Sequence, residues 1–210
     1  MPNADRFSRW RGFTLIELLT VIAIIGILAS ILIPTVSSVR VSAKRAETKV
    51  RFSQWAAAME QFRQEYGYYP QVDGGGPANK INPVRFAGAL TGRRLTGDVF
   101  TSNTDADLGG NKRQISFYTF SQAEFSTAQT ALVDGFGNTD IAVFYDRNAD
   151  GRISSSDGGS GSPVAVTGIA HGRLLQPDLD LSSANGVRAR VIFYSAGVGA
   201  NDDDILYSWK

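Results

Sequence analysis

Hydrophobic positions along the chain change their period twice. From Phe13 to Ile33 only Thr14, Glu17, Thr20, Gly26 and Ser30 interrupt an apolar run of 21 residues. As a helix this run covers roughly 30 Å, the thickness of a bilayer's hydrocarbon core. After Pro34 polar residues return. Val39, Ala43, Ala46 and Val50, then Trp55, Met59, Phe62 and Tyr66, recur at threes and fours, the stripe of an amphipathic helix. Gly67 is placed to end it, and Pro70 cannot continue it. The two stretches read as one helix from Phe13 to Tyr66, about 80 Å long. Pro34 removes a backbone hydrogen bond and Gly26 weakens a helix by about 1 kcal/mol relative to alanine. The pair predicts a bend or local melting between them, although a simple membrane kink explains both residues equally well.

Beyond Tyr69 the pattern becomes short β-rich runs: "RQISFYTF" (113–120), "TDIAVFYD" (139–146), "PVAVTGIA" (163–170), "ARVIFYS" (189–195) and "DILYSW" (204–209). The stretches 72–83, 101–112 and 154–163 are loops by their glycine, proline and asparagine chemistry. No period suggests a repeat array. The expected fold is α+β, a long amino-terminal helix packed on an antiparallel sheet domain.

Composition narrows the function classes. A net charge of +1 on 210 residues gives no global pull toward nucleic acid, so no nucleic-acid partner is expected. The absence of cysteine excludes disulfides and thiolate metal sites. The single histidine, His171, sits alone in "GIAHGR" and reads as a loop residue rather than a ligand. No serine stands in a nucleophile-elbow pattern, and the chain is not expected to be an enzyme.

Ahead of the apolar run, "MPNADRFSRWRG" carries Arg6, Arg9 and Arg11 against Asp5. The positive-inside tendency keeps this end in the cytoplasm and exports everything after Ile33. A secretory signal peptide would have a shorter apolar core and a small-residue cleavage site. Inside the run stands Glu17, and ionisable groups at mid-bilayer cost about 2.5 to 3.5 kcal/mol, less near an end. It needs a cationic partner, and none lies within the run. Cutting the bond between Gly12 and Phe13 would create an α-amino group one helical turn from Glu17, mostly charged at neutral pH.

The stretch "RGFTLIELLTVIAIIGILASILIP" (11–34) resembles the amino terminus of type IV pilins and of the pseudopilins of type II secretion systems. The resemblance implies a prepilin peptidase that cuts after Gly12 and N-methylates Phe13. It implies a role for Glu17 in recruitment and filament assembly, and loss of helicity around Gly26 and Pro34 in filaments. "YGYYP", "FAGALTG" (Phe86 to Gly92), "DGFGNTDIAVFYD" (Asp134 to Asp146) and "FYSAGVGANDDDILYSW" (Phe193 to Trp209) are similar to segments of the major pseudopilin. That family usually reads Asp-Pro-Trp-Gly-Asn-Pro-Tyr where this chain has Gly135, Phe136 and Thr139 in place of the prolines and tryptophan. The implied organisation is a cleaved leader (1–12), a transmembrane and filament-core helix (13–33), an amphipathic continuation (34–66) and an exported β-rich domain (67–210). The implied architecture is the pilin fold, with three or four strands.

Two acidic stretches are candidate calcium sites. "DRNADGRISSSD" matches the twelve-residue calcium-loop pattern at Asp146, Asn148 and Asp150, at the turn Gly151, at apolar Ile153 and at Asp157. Arg152 would contribute its carbonyl and Ser154 a hydroxyl or a water. Position twelve is Asp, with a shorter arm than Glu, and a strand precedes the loop. The alternative is an Asp-Gly turn with solvated carboxylates. The second stretch is "GVGANDDDI", where the resemblance implies calcium at Asp203 and Asp204, with Asp202 the weaker candidate; a soluble acidic loop is the plain alternative. Asp105 and Asp107 read as solvated.

The combined expectation is a structural subunit of a pilus-like filament, with the major pseudopilin of a secretion system preferred. Surface pilin for adhesion, motility or DNA uptake is one alternative; a membrane-tethered calcium-binding module that never polymerises is another. Implied partners are further copies of the chain, minor pseudopilins, the prepilin peptidase and an inner-membrane assembly platform. The expected location is the bacterial inner membrane, single-pass, and then a periplasmic or surface filament.

Overall fold

Both helical patterns fall on one element, α1 (Leu15–Tyr66). The computed structural model describes residues 12–73, 79–93, 109–128, 130–157, 163–182 and 186–210. The basic leader and the Asp105–Asp107 loop lie outside these. The chain divides into two compact units, one ending at Ser42 and one running from Ala43 to Lys210.

In the first unit the large apolar side chains from Phe13 to Ile33 are all exposed, and the helix is long and apolar enough to cross a membrane. It is unbroken through Gly26 and Pro34, where the sequence predicts a bend or melting. Pro34 removes one donor, but the ladder on either side persists. Ser30 Oγ donates to the carbonyl of Ile27 at 2.7 Å, and Thr35 Oγ1 to those of Leu32 at 2.7 Å and Ile31 at 3.0 Å. These hydroxyls share carbonyls of the turns that flank Pro34.

In the second unit the buried face of α1 begins later than the stripe predicts. Ala43, Ala46 and Val50 are exposed; Thr48, Arg51, Phe52, Trp55, Ala58, Met59 and Phe62 are buried. Spacings of three and four still set the face, but polar residues open it because each finds a partner. Arg51 Nη1 donates to the carbonyl of Val133 at 2.5 Å and its Nη2 pairs with Glu47 at 2.7 Å. The indole of Trp55 donates to Glu124 at 2.8 Å. Glu124 is itself buried and takes the Tyr118 hydroxyl and the amide and hydroxyl of Ser121. Burial, then the Glu124 charge and its hydrogen bond, push the Tyr118 phenol up to about 12, so it stays a donor. Gly67 ends the helix in a left-handed turn, φ +82°, with its amide on Arg63.

A second helix, α2 (Pro83–Thr91), packs Phe86, Ala89 and Leu90 into the core. The sequence reads as a loop up to Pro83 and as a resemblance from Phe86 to Gly92, with no helix expected, yet the helix signals are complete. Asn82 caps the amide of Arg85, proline opens the first turn, and Gly92 closes it with φ +66°.

Strands β1 (Ile141–Tyr145), β4 (Val191–Ser195) and β5 (Leu206–Tyr207) form an antiparallel sheet in the order β1-β4-β5. Val143 stands opposite Phe193 and Ala142 opposite Tyr194. Strands β2 (Val166–Gly168) and β3 (Arg173–Leu175) make a separate hairpin. Residues 113–120, expected as a strand, are not one. Their amides at Phe117 and Tyr118 bond the end of α2 at Leu90, and Phe117, Tyr118 and Phe120 pack on the core from there.

Every residue of β1 and β4 is buried, so the sheet has two apolar faces. Ile141, Val143, Tyr145 and Phe193 meet the α1 residues Phe52, Trp55, Met59 and Phe62. Ala142, Phe144, Ile192 and Tyr194 meet Ile153, Val166, Leu175, Leu181 and Ile205. This second layer is why "IAVFY" and "VIFYS" are continuous apolar runs and not alternating ones.

Candidate functional site

The amino-terminal site is built on the first turn of α1. Gly12 and Phe13 precede the helix and are exposed, Phe13 by 73 %. The peptide bond between them therefore lies outside the helix, in exposed backbone. Thr14 and Glu17 then form a reciprocal cap. Glu17 Oε2 accepts from the Thr14 amide at 2.8 Å and the Thr14 hydroxyl at 2.7 Å, while the Glu17 amide donates to Thr14 Oγ1 at 3.3 Å. A carboxylate here also faces the positive end of the helix dipole. Both contacts fall on Oε2, and Oε1 accepts no hydrogen bond among the described residues. Sequence reasoning sought a cation for Glu17 and overlooked Thr14, although Thr-x-x-Glu is a capping-box signature.

A second constellation ties the globular unit together at "DGFGN". Asp134 is 2 % exposed, and its carboxylate has four donors. Oδ1 accepts from the amides of Phe136 at 2.8 Å and Asn138 at 2.9 Å; Oδ2 accepts from Asn138 Nδ2 and Ser195 Oγ, each at 2.8 Å. Asn138 passes the network on, donating to the carbonyl of Gly197 at 2.7 Å and accepting from the amide of Ile169 at 2.9 Å. The Gly135 amide donates to Thr48 Oγ1 on α1 at 2.9 Å. A Cβ on Gly135 would stand 2.6 Å from the carbonyl oxygen of Lys44. Glycine at 135, in place of the more usual proline, supplies both a donor and the close approach to the helix. The node thus joins α1, the loop before β1, the end of β2, strand β4 and the carboxy-terminal loop.

The two acidic stretches close on their own backbones. Asp146 is buried and accepts from the amides of Asp150 at 3.2 Å and Gly151 at 2.8 Å. Asn148 Oδ1 accepts from Asp150 N at 3.0 Å, and Asp150 Oδ1 from Arg152 N at 2.8 Å. Asp157 reaches back to the amides of Arg147 at 2.9 Å, Asn148 at 3.2 Å and Ser154 at 2.7 Å. Ala149 and Gly151 take φ of +61° and +83° to make the reversal, and Ile153 anchors the loop in the second core. The oxygens at 146, 148, 150 and 157 belong to one turn, yet among the described residues no three acidic or histidine side chains gather into a group that would hold a metal.

The "DDD" run is a single 3-10 turn whose carboxylates part company. Asp202 accepts from the amide of Gln176 at 3.1 Å. Asp204 accepts from the amides of Ala200 and Asn201 and pairs with Arg45 at 3.3 Å. Asp203 is exposed. Asp204 caps the turn within which Asp203 lies.

Comparison with known proteins agrees with the amino-terminal geometry. Residues 11–33 match the family model described as the prokaryotic N-terminal methylation motif. The chain is 44% identical over 110 residues to the type IV major pilin protein PilA of Myxococcus xanthus, covering 50% of this chain and 47% of that one. It is 31% identical over 76 residues to the type II secretion system core protein G of Pectobacterium carotovorum subsp. carotovorum, 36% of this chain and 49% of that one. The chain thus spans about half the length of the curated relatives it matches. No solved structure matches at comparable significance. The chain thus carries the prokaryotic N-terminal methylation motif at 11–33 and is similar, over part of its length, to a type IV major pilin and to a type II secretion core protein.

Proposed function

We propose that this chain is the repeating subunit of a pilus-like filament, matured by cleavage between Gly12 and Phe13. One observation carries the reading: Glu17 sits in an exposed apolar segment with Oε2 engaged by Thr14 and Oε1 accepting no hydrogen bond among the described residues. An amino group from a neighbouring copy would pair with Oε1 without dismantling the helix cap. The apolar side chains around it would pack against the same segment of further copies once they leave the lipid, since apolar area returned to water costs roughly 25 cal/mol per Å². The chain would be membrane-anchored and exported before assembly, with a platform to extract it.

Of the two kinds of filament, a surface pilus is supported by the longer and more similar stretch shared with the Myxococcus pilin. A secretion pseudopilin is supported by the cysteine-free chain and by the Asp134–Asn138 node in the segment that resembles the major pseudopilin. Deleting the gene separates them. Loss of surface fibres with secretion intact supports the pilus; secretion loss with fibres retained supports the pseudopilin; intact fibres and intact secretion would contradict the filament reading.

Calcium belongs to the same proposal at the Asp146–Asp157 loop only. Binding there would require Asn148 and Asp150 to turn from loop amides to the ion, which fixes the strand-to-turn junction beside Ile153. The full chain in detergent should melt higher in calcium than in EDTA, and Asp150→Ala should abolish the difference. A saturating ion at about 100 times its Kd contributes about 2.7 kcal/mol. Equal melting in both buffers would leave the loop a turn closed by its own amides.

A further inference from the structure

Where α1 gives way to the sheet lies a cavity of about 390 Å³, within the roughly 300–1,000 Å³ of small-ligand sites. It is separate from the amino-terminal segment used for assembly. The rings of Tyr69 and Tyr145, with centroids 5.3 Å apart, line one side. Each carries a guanidinium over its face: Arg63 at 5.1 Å over Tyr69 and Arg147 at 4.7 Å over Tyr145.

The two arginines differ in charge balance. Arg147 is paired with Asp73 at 2.9 Å. Arg63 has no carboxylate partner among the described residues and meets only the hydroxyl and ring of Tyr69. The nearby acid on its helix, Glu60, is engaged by the Tyr69 phenol and by Arg190. Burial raises the phenols of Tyr69 and Tyr145, Tyr145 to about 12, so neither supplies a compensating negative charge.

The remaining lining suits a polyhydroxylated ring. Tyr68 is 46 % exposed and fixed by its hydroxyl on the carbonyl of Gly110 at 3.2 Å, which leaves an aromatic surface at the rim. Exposed Gln71 brings a side-chain donor and acceptor. Asp146 keeps a second lone pair on each oxygen beyond those used by Asp150 and Gly151. An apolar ligand would desolvate Arg63 without return. Inorganic anions would use Arg63 and leave the tyrosines idle.

We propose that this cavity binds an acidic sugar, a uronic acid residue of an anionic polysaccharide, with its carboxylate on Arg63 and its ring against Tyr68. Filament assembly plays no part in the inference, so binding is measured on the undivided monomeric chain in detergent, with EDTA present to exclude a calcium bridge. Calorimetry with oligogalacturonate should give a Kd of about 1 mM or tighter. A neutral galacto-oligosaccharide should bind about tenfold or more weakly, as should oligogalacturonate to Arg63→Gln, because a charge-assisted fork is lost. Arg63→Lys, which keeps charge without the fork, should fall between. Arg63 is partly exposed, so an unchanged melting temperature verifies that these variants are folded. Equal affinity for neutral and acidic sugars, an unchanged Kd in Arg63→Gln, displacement by equimolar phosphate, or no heat with oligogalacturonate would each overturn the proposal.

Discussion

Replacing Asp134 with alanine is expected to lower the unfolding free energy of the globular unit by about 3–5 kcal/mol, because several buried donors lose their acceptor at once. The reason is geometric. Four donors converge on this carboxylate, and all of them would be left facing a void. Each unsatisfied buried donor costs about 1–3 kcal/mol, partly offset by relaxation and water entry. Ser195→Ala removes one donor and its partner's fourth bond, and should cost about 1 kcal/mol. Asp134→Asn retains the acceptor for the two amides but sets an NH2 against Asn138, and should fall between the two. Chemical denaturation of the full chain in detergent reads all three. A change below about 1 kcal/mol in Asp134→Ala would show that the node is not what binds α1 to the sheet and the carboxy-terminal loop.

In the amino-terminal segment the largest effect is on assembly. Glu17→Leu should insert in the membrane as the parent does, since it removes a charge from an apolar segment, yet form no filaments. The capping geometry sharpens this expectation. Glutamine at 17 can still accept from Thr14, because a capping box tolerates Gln, but it cannot attract an amino group. Glu17→Gln should therefore also fail to assemble while keeping the helix start. Thr14→Val keeps the charge and loses the hydroxyl; the first turn should weaken by about 1 kcal/mol and filaments should persist. Sedimentation of sheared cell-surface and periplasmic fractions measures the outcome. Filaments from Glu17→Gln but not from Glu17→Leu would assign Glu17 to capping alone.

How much of this was legible beforehand depends on the range of the interaction. The apolar run, the end of α1 at Gly67 and the positions of β1, β4 and β5 follow from local periodicity and turn chemistry, and all are found. The helix α2 was equally legible in Asn82, Pro83 and Gly92. A nine-residue helix offers little periodicity between its caps, so these end signals are the main ones it carries.

The buried face of α1 was misjudged at Val50 and Thr48 because burial there is decided by Gly135 and Val133, more than eighty residues away in sequence. Arg51 and Glu124 are inside for the same reason: each meets a partner that no local pattern announces. Residues 113–120 have strand composition, yet α2 offers them carbonyls at Leu90 and the core offers their rings a place, so side-chain packing overrides propensity. At the amino terminus the logic runs the other way. Gly12 and Phe13 are singled out by the resemblance and Glu17 by its charge in an apolar run, and the structure adds Thr14 as a hydrogen-bond partner of Glu17 three residues away.

The central claim is that an acidic group in an apolar helix acquires its cation when the chain is cut beside it. Mass spectrometry of the intact protein from native membranes tests this directly. The account predicts a polypeptide that begins at Phe13 and carries one additional methyl group on its amino terminus. A functional polypeptide that still begins at Met1 would contradict it.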